Sequence, residues 1–216
     1  TTNSGLSRFN GALQNPSKPD FTNFDESDGL SGNDFKKRAI YQNTSGLIYL
    51  GSSQGFSYFH PDSIKINNHI PEVVLADIRL LKNPESNDIL SGKNINALQK
   101  IELNYHNSDF EISFAALNYL NPQKNKYKYI LSGYDRNWIP ADENRKATYK
   151  NLRPGNYTFM VLGSNNDGVW NPVPRQIQII IIPPFWQTLW FQGLAAIAFL
   201  GLLVLIFQWR LYSVKK

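Results

Sequence analysis

The chain has 216 residues, 42% of them hydrophobic and 13% aromatic; that suffices for one well-cored domain or two smaller units and is too apolar for a disordered polypeptide. The formal charge of +5 is spread along the sequence, with Lys36-Lys37-Arg38 as the longest basic cluster; this reads as a solvated face, and no nucleic-acid partner is expected. Cysteine is absent, which excludes disulfides, thiol catalysis and cysteine-based zinc sites.

Residues 1–70 contain an internal echo. Gly5-Leu-Ser-Arg-Phe9-Asn10 returns as Gly55-Phe-Ser-Tyr-Phe59-His60, fifty residues further on, and a repeat of that period suggests propeller blades. Between the copies lie Phe21-Thr-Asn-Phe24, Asp28-Gly29-Leu30-Ser31, Arg38-Ala-Ile-Tyr41, a turn over 43–46, and Leu47-Ile-Tyr-Leu-Gly51. These make about four short strands, as one blade needs. A single blade cannot close a ring and would leave sheet edges unpaired. Either further blades lie upstream in a longer protein, or this is a truncated remnant packed on the domain that begins near residue 71. Thr1-Thr2-Asn3-Ser4 is not a basic-then-apolar leader, so an exported protein would have to be the tail of a longer polypeptide.

From 71 to 183 the pattern is two-periodic. Val74, Ala76, Ile78 and Leu80 alternate with Leu75, Asp77 and Arg79. The same alternation places Ile101, Leu103 and Tyr105, then Phe110, Ile112 and Phe114, then Tyr127, Tyr129 and Leu131 on inner faces. Tyr157, Phe159 and Val161 come next, and Ile177, Ile179 and Ile181 close the series. Turn residues separate the runs: Asn121-Pro122, Ser132-Gly133, Pro154-Gly155 and Asn166-Asp167-Gly168. About seven strands over about 110 residues predict an all-β, immunoglobulin-like β-sandwich. Leu152 can drop into its core while Pro154-Gly155 turns the chain. Tyr157 then begins a strand with a hydroxyl placed for a tyrosine corner; the other reading is a plain core tyrosine with its hydroxyl at the surface.

Residues 184–216 change character. No charged residue falls between Arg175 and Arg210, and Leu189 to Phe207 reads LWFQGLAAIAFLGLLVLIF. As a helix this run rises about 28 Å, close to the hydrocarbon thickness of a bilayer. Trp186 and Trp190 at one end, with Trp209 and Tyr212 at the other, fit an aromatic belt. A buried core helix would show a polar face, and this run has none. Arg210, Lys215 and Lys216 predict a cytoplasmic C-terminus in a single-pass inner-membrane protein, with residues before about 185 periplasmic.

Three stretches carry a family resemblance. The first runs from Tyr127 through Tyr129 and Tyr134 to Trp138. The second runs from Ala147 through Tyr149, Leu152, Pro154, Gly155 and Tyr157 to Phe159. The third is Asn165-Asn-Asp-Gly168-Val-Trp170. In order and spacing, Val74 to Ile182 resembles the three-Y (Y_Y_Y) domain that ends the extracytoplasmic half of many bacterial two-component sensors. Residues 1–70 resemble the two-component regulator propeller repeats that precede it. The resemblance implies a membrane helix, a cytoplasmic histidine kinase region beyond Lys216 or on a partner, a homodimer, and a carbohydrate ligand bound upstream.

The residues themselves offer little chemistry. His60, His69 and His106 lack metal-ligand spacing. Asp25, Glu26, Asp28 and Asp34 crowd Gly29 but miss the calcium-loop pattern, so no metal and no cofactor is expected. No nucleophile elbow, phosphate loop or phosphoacceptor-histidine box is visible, so the chain is not expected to be an enzyme. Trp138 and Trp170 could stack on sugars, although both also fit as core or sheet-edge anchors of the sandwich, the commoner role for tryptophan. Pro183-Pro184 favours extended, stiff backbone between the last strand and the helix. That stiffness predicts coupling of sandwich to helix in a sensor. The rival reading is a membrane-anchored carbohydrate-binding or adhesion module with a passive helix.

Overall fold

The computed structural model describes residues 4–10, 17, 20–82 and 94–214. They fall into two compact units. The first gathers residues up to His69 with the segments Asn118–Lys124 and Asn165–Val169; the second holds Ile70–Leu117, Asn125–Ser164 and everything from Trp170.

In the first unit, β1 (Leu6–Asn10) pairs antiparallel with β2 (Asp20–Phe24). A separate sheet takes β3 (Phe35–Gln42), β4 (Ile48–Ser52) and β5 (Gly55–Phe59) in that order. Of the pieces between the two copies of the echo, residues 21–24, 38–41 and most of 47–51 fall in β2, β3 and β4, whereas 28–31 form no strand, because Asp28 ends a 3-10 turn that Gly29 caps; β2 hydrogen-bonds to β1 and not to β3. Both copies of the sequence echo open on a glycine with positive φ, Gly5 at 111° and Gly55 at 145°, and both run straight into a strand. At Gly5 the need is steric as well, because a Cβ there would lie 2.1 Å from the carbonyl oxygen of Phe24. Lys36, Lys37 and Arg38 are solvent-exposed on β3, as a solvated basic face should be.

In the second unit, the strands are β6 (Val73–Leu80), β7 (Lys100–Asn104), β8 (Phe110–Ala116), β9 (Tyr127–Ser132), β10 (Ile139–Pro140), β11 (Lys146–Tyr149), β12 (Gly155–Gly163) and β13 (Arg175–Ile182). One sheet has the order β10-β9-β12-β13-β7 and the other β11-β8-β6, the two layers of a sandwich. Phe110, Ile112, Phe114 and Ala147 from the smaller sheet meet Leu131, Phe159, Val161, Ile177, Ile179 and Ile181 from the larger in one continuous core. Phe114 centres an aromatic cluster, 5.6 Å from Tyr127, 5.9 Å from Tyr129 and 6.2 Å from Phe159 between ring centroids.

Two features depart from simple alternation. The expected inward set on β6 is Val74, Ala76, Ile78 and Leu80, but Val73, Leu75, Ile78 and Leu80 are the buried residues. A register shift between Leu75 and Asp77 admits one extra residue, so the inner face changes parity midway along the strand. Asn96 secures that irregular edge: its side-chain oxygen accepts from the Leu75 N–H and its amide donates to the Leu75 carbonyl, both at 2.9 Å. The second departure is β13, which pairs antiparallel with β12 and parallel with β7, Ile182 standing opposite Asn104.

A single 3-10 turn, Phe185–Gln187, separates β13 from helix α1 (Leu189–Val214). Within α1, Leu189–Arg210 is long and apolar enough to cross a membrane, with a mean hydropathy of 2.3 and no residue buried against the protein. Lys215 and Lys216 lie outside the described residues, as does the side chain of Tyr212.

Candidate functional site

The motif over 149–157 forms the end of the sandwich from which the helix leaves. Leu152 is buried in the core, and the chain turns at Pro154 into β12. The Tyr157 hydroxyl donates to the Arg153 carbonyl at 2.9 Å, the geometry of a tyrosine corner. Tyr149 is buried, and its hydroxyl donates to Asp135 Oδ2 at 2.7 Å; the same oxygen accepts the Leu131 N–H at 2.7 Å. Burial first, and then the Asp135 carboxylate, hold the Tyr149 hydroxyl well above the usual phenol range, so it stays a proton donor. Tyr134 is exposed and meets the Tyr149 ring edge to face at 5.8 Å. Gly133 permits the turn beneath them: its φ is 95°, and a Cβ would lie 3.2 Å from the Tyr157 ring.

Trp138 and Trp170 come together although they are distant in sequence. The Lys128 ammonium lies over both indoles, 5.7 Å from Trp138 and 5.0 Å from Trp170. Each tryptophan is 37% exposed, and that cation lies over one face of each indole. Trp170 is held by a bridge to Ser164. Gly168, with φ 81°, serves the turn just before it.

The acidic cluster of the first unit is built as a turn around an ion pair. Asp25 accepts the Ser27 N–H, Asp28 accepts the Asp25 N–H, and Gly29 closes the turn at φ 95°. The Lys124 ammonium pairs with Asp25 at 2.9 Å and also with Asp28. Burial disfavours both the Asp25 and the Lys124 charges. The Ser27 and Lys124 hydrogen bonds outweigh it at Asp25, and Asp28 and Asp25 outweigh it at Lys124, so the carboxyl is lowered and the ammonium raised from their ordinary values. Asp34 is paired separately with Lys36.

The junction 183–188 is the feature for which sequence reasoning found only part of the signal. Pro184 is buried, and the Gln187 N–H donates to its carbonyl at 2.9 Å. The Thr188 N–H donates to Phe185 O at 3.1 Å, and the Thr188 hydroxyl bonds the same oxygen. The Gln192 N–H then donates to Thr188 O at 3.1 Å, so backbone hydrogen bonding continues from the prolines into α1. Aromatic rings brace the path. Trp186 meets Tyr105 edge to face at 5.3 Å, and Phe185 contacts both Trp186 and Phe191, at 5.0 and 5.3 Å. Tyr105 sits in the turn directly after β7, the strand that pairs with the end of β13. The proline pair was legible in the sequence, whereas the Tyr105 contact depends on the parallel pairing of β7 with β13.

Residues 118–181 match the family model of the Y_Y_Y domain, the C-terminal part of the stretch from Val74 to Ile182 that carried the resemblance. The chain is 34% identical over 194 residues to Histidine kinase P4 of Formosa agariphila, an alignment that covers 88% of this chain and 14% of that protein. It is also similar to the crystal structure of the extracellular domain of a hybrid two component system from B. thetaiotaomicron. That match has a TM-score of 0.69 and 26% identity, and covers 85% of this chain and 24% of the other. The chain thus spans a small part of the length of either relative. Residues 118–181 thus carry the match to the Y_Y_Y domain, within a chain similar to the extracellular domain of a hybrid two component system.

Proposed function

We propose that this chain is the membrane-proximal, extracytoplasmic part of a two-component sensor, which passes a rearrangement made upstream through α1 to a cytoplasmic histidine kinase region. Similarity to a histidine kinase and to the extracellular domain of a hybrid two component system supports the sensor role. The observation that carries the relay is the junction. Between the last residue of β13 and the first turn of α1 lie two prolines and one hydrogen-bonded 3-10 turn, braced by Trp186 against Tyr105. A flexible tether would absorb a displacement of the sandwich; this path transmits it to the outer end of the helix. The relay needs at least two copies, because one isolated helix has no reference against which to move. Arg210 at the far end of α1 favours a cytoplasmic C-terminus.

Insertion of a Gly-Ser stretch between Pro184 and Phe185 in the longer sensor tests the reading, with target-gene output as the measurement. The relay predicts loss of the inducer response while the protein still accumulates in the membrane. An unchanged response would contradict it and favour a passive anchor.

A further inference from the structure

The strand registers place several cations at one level. Ile181 stands opposite Gly155 and Ile182 opposite Asn104, so the start of β12 and the end of β7 lie where β13 hands over to α1. Tyr149 pairs with Phe110 and Leu80 with Phe110, which brings the ends of β11 and β6 to that same end of the sandwich. Ser132 stands opposite Thr158, so β9 ends at this level too, and the segments that leave these strand ends carry Lys82, Arg136, Lys150 and Arg153, all exposed. Lys82 pairs with Asp109 at 3.2 Å, and no ion pair to Arg136, Lys150 or Arg153 is found among the described residues.

The carboxylates at this end are already engaged. Asp109 is buried, with the Asn151 N–H donating to it at 2.6 Å, and Asp135 takes the Tyr149 hydroxyl and the Leu131 N–H. Glu102, one step back on β7, pairs with Lys100. Two exposed apolar side chains, Leu81 and Tyr134, share the rim.

We propose that this rim is a docking surface for the anionic headgroup layer of the membrane that α1 crosses, with Arg136, Lys150 and Arg153 binding lipid phosphates and Tyr134 and Leu81 resting at the interface. Geometry and charge both favour lipid over a soluble anion. Six residues, 183–188, separate β13 from α1. Two extended prolines and a 3-10 turn lift the sandwich by only about 15 Å. The headgroup layer extends roughly 5–7 Å beyond the hydrocarbon, and the Debye length at physiological salt is about 8 Å, so the rim stays within electrostatic reach of the lipid. Juxtamembrane cations act additively on such a surface, each changing the attraction about fivefold. The proposal goes beyond the relay and rests only on α1 crossing a bilayer. Its consequence is a sandwich whose tilt depends on lipid charge.

The test uses the whole chain reconstituted in nanodiscs, either of phosphatidylcholine alone or with part of it replaced by phosphatidylglycerol, with amide hydrogen exchange as the readout. The expected result is severalfold slower exchange over 132–136 and 150–155 in the anionic discs, reversed by high salt. It should be abolished in the triple variant Arg136→Gln, Lys150→Gln, Arg153→Gln. That variant leaves the Lys82–Asp109 pair intact, and an unchanged thermal unfolding midpoint shows that it folds. Equal exchange in both disc types overturns the proposal, as does slowing that the triple variant retains. A chain that fails to enter discs of either kind overturns it together with the assignment of α1 as a span.

Discussion

The ring of Trp186 stands edge to face with the ring of Tyr105, their centroids 5.3 Å apart. This contact joins the turn after β7 to the turn before α1, and with Pro184 it leaves no slack between sheet and helix. Such ring pairs contribute about 0.5–1.5 kcal/mol beyond the area they bury. Trp186→Ala should therefore loosen the junction without unfolding the sandwich. Amide exchange at Gln187–Leu189 should accelerate severalfold while exchange in β12 and β13 stays unchanged, and equal rates at the junction would show that the contact is dispensable.

The Tyr157 hydroxyl ties the start of β12 back to the Arg153 carbonyl. Tyr157→Phe keeps the ring and removes that bond. The expected cost is about 1 kcal/mol, read as a lower urea midpoint with an unchanged slope.

Asp109 gives the sandwich an acid-sensitive anchor. Burial opposes its ionisation. The Asn151 N–H, the Lys82 ammonium and Ser108 together outweigh that opposition and hold its carboxyl below the ordinary 3.8. A folded-state value lower than the unfolded one adds stability that is fully present above the ordinary carboxylate range. That stability is lost as the pH falls through the folded value, because the unfolded chain then binds the proton more readily. Asp109→Asn should flatten the stability profile below about pH 4. Asn151, held at φ 54° beside this carboxylate, should gain exchange protection only while Asp109 is charged.

Gly163 is a packing constraint that no turn or motif announces. It ends β12 deep in the sandwich, and an added Cβ would lie 2.8 Å from Val73 Cγ2 and 3.3 Å from the Ala116 Cβ. Gly163→Ala should cost roughly 1–3 kcal/mol through overpacking, measured by thermal or urea unfolding.

Most inward faces were legible because strict alternation survives in β7, β8, β12 and β13. It failed at Ala76, where a bulge changes the parity of β6 and neither glycine nor proline marks the place. The split of the first unit into two sheets was equally hidden, since β2 reads the same whether it pairs with β1 or β3. At the junction, Pro183-Pro184 signalled stiffness through local backbone restriction. The partner of Trp186 was invisible because β7 and β13 pair in parallel across a long stretch of sequence. Likewise the cation shared by Trp138 and Trp170 arises from strand neighbours and from no local pattern.

The central claim is that sandwich and helix move as one body, and a distance distribution tests it most directly. The chain has no cysteine, so the double variant Glu102→Cys, Leu194→Cys accepts two spin labels without background, one on β7 and one in α1. In nanodiscs, with the labelled chain diluted in an excess of unlabelled chain so that only distances within one copy are read, pulsed dipolar spectroscopy should return a single narrow distribution, which broadens when Gly-Ser is inserted after Pro184. A distribution already as broad as that of the insertion variant would contradict the account.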